Sequence, residues 1–92
     1  MTIKDLVKDN KKVRFQYFRE GNFYYTTECG FLFPVPLDDI GTATLLAQDR
    51  AILFMRYIRK HIETITSGLS KLGVKFNLED HIKSLASKHE SI

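Results

Sequence analysis

Ninety-two residues, 43% hydrophobic and 27% charged, are one domain's worth of chain and too apolar for a disordered one. Fourteen Lys and Arg against 11 Asp and Glu give a formal charge of +3, a mild pull towards polyanions well short of an obligate nucleic-acid binder. The single cysteine, Cys29, excludes an internal disulfide and the cysteine-rich metal sites, and the polar N-terminal stretch carries no apolar run, so a reducing cytoplasm is the expected location.

The chain reads as a single domain, 1–92. Ile3, Leu6 and Val7 recur at helical spacing behind Thr2, a candidate N-cap, and predict a short helix ending near Asn10. From Lys12 the period changes to two, and Val13, Phe15 and Tyr17 alternate with Arg14, Gln16 and Phe18 in a strand pattern. Gly21-Asn22 suits a two-residue hairpin loop, with glycine first to accept a positive φ. Phe23 to Glu28 follows as a second strand, Cys29-Gly30 as a second tight loop, and Phe31 to Pro36 as a third strand that its two prolines confine to an edge.

These loops fix a register in which Tyr17 faces Thr26 and Thr26 faces Phe33. One face, the expected core, then holds Val13, Phe15, Tyr17, Tyr24, Phe31 and Phe33. The other holds Lys12, Arg14, Gln16, Phe18, Tyr25, Thr27 and Leu32.

Leu37 to Thr44 reads as a connection. A long helix is predicted from Ala47 to about Ile65, where Ala51, Phe54, Met55, Ile58, Ile62 and Ile65 form one apolar stripe. Ser67-Gly68 and Leu72-Gly73 break this pattern, making 67–77 a loop. Asn77 then caps a last helix carrying Leu78, Ile82 and Leu85. The predicted class is α+β: a three-stranded antiparallel meander packed on one long helix, with short helices at both ends.

Catalytic signatures are absent from this pattern. His61, His81 and His89 lack metal-ligand spacing, and Cys29 has no partner nearby in sequence. Asp38-Asp39 reads as a turn and cap feature, since no Asp-rich calcium loop follows. There is no glycine-rich phosphate loop and no nucleophile elbow. The chain is expected to be no enzyme and to carry no metal or other cofactor.

Two surfaces remain as candidates for contact. On the second sheet face, Arg14 and Phe18, with Tyr25 beside them, would set aromatic rings among cations, a composition that stacks bases and holds phosphates. The alternative is that the last helix covers this face. On the long helix, Arg56, Arg59 and Lys60 cluster off the apolar stripe, with Arg50 earlier and Leu53 and Tyr57 beside them. An apolar pair next to arginines has the composition of a protein contact, including a homodimer contact through Leu53 and Tyr57.

The order helix, three-strand meander, helix resembles that of double-stranded-RNA-binding domains in topology only, and a meander followed by a helix is similar to antitoxin domains of the HicB type, whose motifs are not matched. At residue level, Cys29-Gly30-Phe31, Phe33-Pro34-Val35-Pro36, Asp49-Arg50-Ala51 and the run Phe54 to His61 resemble a family of short uncharacterised bacterial and phage proteins. That resemblance spans roughly the middle half of the chain and carries over no catalytic residue. It implies a phage or mobile-element protein, and small phage domains without enzyme motifs often inhibit host defence. The expectation is a non-enzymatic binder of a host nucleoprotein complex (protein, crRNA or both), an anti-CRISPR protein acting in the host cytoplasm. Its contacts would be Arg14, Phe18, Arg50, Arg56, Tyr57, Arg59 and Lys60. A small nucleic-acid-binding regulator and a homodimeric structural protein are the alternatives.

Overall fold

The computed structural model describes residues 13–77 together with Asp80 and Lys83. The helix expected over Thr2–Asn10 and the apolar residues Leu78, Ile82 and Leu85 of the last helix lie outside the described residues. Asn77 does accept a hydrogen bond from the Asp80 backbone N–H at 3.2 Å, the capping bond anticipated for it.

The described chain is α+β. Strands β1 (Arg14–Arg19), β2 (Asn22–Thr26) and β3 (Leu32–Pro36) pair antiparallel in the order β1-β2-β3. A 3-10 turn (Leu37–Asp39) leads into α1 (Ile40–Leu46). A second 3-10 turn (Gln48–Arg50) precedes α2 (Ala51–Lys60) and α3 (Ile62–Lys71). Helix α2 packs across β1, α1 lies beside β3, and α3 packs on the first 3-10 turn.

Both hairpin loops differ from those expected. The first is Glu20-Gly21, closed by the pair Arg19–Asn22, and both loop residues have positive φ, 53° and 79°. That is the requirement of a type I′ turn, whose twist matches that of the strands it joins. The second is the three-residue loop Glu28-Cys29-Gly30, in which the Gly30 N–H donates to Thr27 O and the Thr27 N–H to Phe31 O, both at 3.0 Å. Gly30 takes the left-handed position such a loop needs, with φ 86°.

Register follows from these turns and from a bulge. Phe15 faces Tyr25 and Tyr17 faces Tyr24, so Gln16 is an extra residue on β1. Alternation therefore changes phase along β1: Val13 and Phe15 point to the core before the bulge, and Phe18 points to the core side after it. The expected faces of β2 are exchanged as a result. Phe23 and Tyr25 are buried, whereas Tyr17 and Tyr24 pair on the outer face with ring centroids 5.2 Å apart. Phe31, expected in the core, is 63% exposed.

Glutamate is a poor occupant of a left-handed position, because its Cβ crowds the backbone there. Glu20→Asn is expected to raise stability by about 0.5–1 kcal/mol, since asparagine tolerates that conformation. A urea midpoint unchanged or lowered by the substitution would contradict the turn assignment.

Strand β3 bonds to β2 through its odd residues. Phe33 and Val35 lie between the closing bonds Thr27 N–H to Phe31 O and Leu37 N–H to Gly21 O. The backbone of Pro34 and Pro36 consequently faces away from β2, where a missing N–H breaks no ladder bond.

Sequence alone also misplaced the helices. Leu37–Thr44, expected as a connection, holds a 3-10 turn and most of α1. Its threonines fit because the buried Thr44 hydroxyl donates to the Ile40 carbonyl at 2.8 Å within the helix. The predicted long helix is two helices meeting at His61, whose φ of −110° and ψ of 19° interrupt regular geometry. Its second half continues through Ser67 and Gly68 to Lys71, where a loop was expected. A Cβ on Gly68 would overlap Leu37 Cδ2, so this glycine lets α3 approach the 3-10 turn. The break comes at Gly73 (φ 78°), where Val74 N–H reaches Leu69 O at 2.8 Å and Gly73 N–H reaches Ser70 O at 3.0 Å.

Between the layers lies an aromatic core centred on Phe15. Its ring meets Phe54, Tyr57 and Tyr25 edge-on at 5.1, 5.2 and 5.5 Å, and Phe23 at 6.3 Å. Ile58, Ile65, Leu69 and Val35 complete it.

A candidate contact surface on two faces

The cationic side chains fall into two groups. Arg14 lies on the outer face of β1 and Arg50 ends the second 3-10 turn, and both are exposed. Thirty-six residues apart in sequence, they line one surface depression of about 370 Å³ with Gln16, Thr26, Thr27 and Glu28. The bulge brings Gln16 onto this face, where its Nε2 donates to Thr26 Oγ1 at 2.8 Å. Next along the same face stand Tyr17 and Tyr24, both half-buried.

Arg56, Arg59 and Lys60 form the second group, all exposed on α2. Positions 52, 56, 59 and 60 share one side of a helix, and Ile52 there is 69% exposed. Among the described residues no carboxylate pairs with these three cations.

The two aromatic anchors expected at the surface are largely taken up by the chain's own packing. Phe18 packs on Phe23 at 4.9 Å and on His61 at 5.4 Å. Tyr57 lies edge-on to Phe15 and stacks on His61 at 5.9 Å. Leu53 is likewise half-buried against the core. Ile52 on α2, and Tyr17, Tyr24 and Leu32 on the outer sheet face, are the larger side chains left at these surfaces. Ile52 could have been found from the helical wheel of α2, which sets it opposite Phe54 and Ile58. The tyrosines could not, because nothing in the residue pattern announces the bulge.

Tyr25, assigned to the outer face by the expected register, is buried, and its hydroxyl donates to the Ala43 carbonyl at 2.6 Å. Burial pushes its phenol far above the usual range. Cys29 is exposed at the β2–β3 loop. The Thr27 hydroxyl, 3.1 Å from Sγ, holds the thiol below its usual range, helped by the Phe31 backbone. Among the described residues no three His, Cys, Asp or Glu side chains gather as a metal site, and no helix is long and apolar enough to cross a membrane.

Compared with known proteins, the chain matches no family model, no curated protein and no solved structure.

Proposed function

We propose that the chain is a non-enzymatic binding protein of phage or mobile-element origin that occupies a surface of a host nucleoprotein complex, a CRISPR effector being the first candidate. The observation that carries this proposal is the side of α2 on which Arg56, Arg59 and Lys60 stand exposed in a row that begins at the exposed Ile52. An exposed aliphatic side chain at the end of a row of cations suits an acidic macromolecular surface with an apolar patch beside it: the apolar contact supplies affinity while the charges steer and orient. A folded scaffold underneath limits the entropy lost when the face is occupied.

The test is direct. Purified CRISPR effector complexes loaded with guide RNA are titrated with the chain, and cleavage of target nucleic acid is read. Inhibition is expected, and Arg56→Glu combined with Lys60→Glu should weaken it at least tenfold without moving the thermal midpoint. Equal inhibition by the double variant would eliminate the α2 face. Failure to inhibit any complex would eliminate the inhibitor assignment.

A further inference from the structure

From the chemistry of the outer sheet face we infer a second binding surface, one that takes single-stranded nucleic acid. Three features meet there. Tyr17 and Tyr24, adjacent across β1 and β2, pack on each other with centroids 5.2 Å apart and are only half-buried, so ring surface is left for an unpaired base. Thr26 lies two residue steps from Tyr24 on the same face, roughly 7 Å along the strand. It belongs to the depression that Arg14 and Arg50 flank with exposed guanidinium groups, the residue type best shaped for phosphate oxygens. Gln16, held by Thr26, keeps one amide N–H and its carbonyl oxygen for a base edge. Glu28 on the same rim sets a limit: among the described residues that line the depression a carboxylate stands with the two arginines, which suits a short contact with one or two phosphates.

Stacking on tyrosine requires a base face that is not already covered. In a duplex each base stacks on its neighbours, so this surface discriminates against paired strands. It is separate from the α2 face, and the two proposals fail separately.

Fluorescein-labelled ten-nucleotide oligo(U) and oligo(dT), and a duplex of the same length, are titrated with the full chain at several salt concentrations. Single strands should bind better than duplex. Because two arginines meet phosphates, log K should fall against log salt with a slope of about −1.4. Arg14→Gln with Arg50→Gln should flatten that slope, and Tyr17→Leu with Tyr24→Leu should weaken binding tenfold or more while the circular dichroism spectrum stays unchanged. The leucine pair keeps apolar cover on the sheet, and the glutamine pair alters only exposed positions, so at least one variant reports on binding in a folded protein. Duplex binding as tight as single-strand binding would overturn the inference, as would no single-strand binding at low salt. Sensitivity to Arg56→Glu and Lys60→Glu, with indifference to both sheet variants, would overturn it too and move the nucleic acid to α2.

Discussion

Phe15→Ala is expected to cost about 3–5 kcal/mol, the range for removing a phenylalanine from a packed core. The upper end applies because Phe15 is fully buried and touches four other rings, two from β2 and two from α2. Those rings are too rigid to fold into the space left behind, so most of the cavity persists. A domain of this size has about 5–10 kcal/mol of total stability, and the loss would leave a substantial unfolded population. Urea denaturation followed by circular dichroism gives the difference. Phe31→Ala is the control and should change stability little, because that ring is mostly in water. A Phe15→Ala cost below about 1 kcal/mol would mean that the core is centred elsewhere.

A second large effect concerns alkaline pH. Burial raises the Tyr25 phenol far above the ordinary value near 10 that it regains on unfolding. Below pH 10 both states are protonated and the hydroxyl contributes fully. Above it the unfolded chain releases the proton while the folded chain keeps it. Stability then falls by about 1.4 kcal/mol per pH unit from this group alone. Tyr25→Phe removes the slope and also the hydrogen bond to the Ala43 carbonyl. That carbonyl still accepts from the Ala47 N–H at 3.0 Å, so the loss at neutral pH is about 1 kcal/mol rather than that of an orphaned group. The variant should be less stable than wild type at pH 7 and more stable beyond roughly pH 11. Unfolding curves that stay parallel from pH 7 to 11.5 would show that Tyr25 is reached by water.

How far the sequence could be read depended on whether its signals were local. The three strands and the apolar stripe of α2 are periodic, and period survives small errors of register. The turns were harder. Gly21 advertises positive φ, but a type I′ turn needs two such residues, and Glu20 gave no sign of being the other. Moving the loop back by one residue shifts the pairing by two and keeps the faces, so it is the bulge at Gln16 that exchanged Tyr24 with Tyr25. Gly41 and two threonines argued against a helix at α1, yet packing beside β3 and an internal hydroxyl bond outweigh their propensities. The cations of α2 were legible because a helix brings residues three and four apart together. Arg14 and Arg50 were both named as contacts, but their meeting depends on the path of the chain between them, which no short-range pattern encodes.

The prolines of β3 bear on behaviour at high concentration. A free strand edge invites another chain to pair with it, and repeated pairing ends in polymer. Strand addition draws on alternating donors and acceptors, and at Pro34 and Pro36 the outward positions supply acceptors only. An incoming strand would bury its own N–H groups productively and leave its carbonyls facing proline rings. The sheet is thus sterile on this side. The chain can therefore accumulate at high concentration without joining edge to edge through β3.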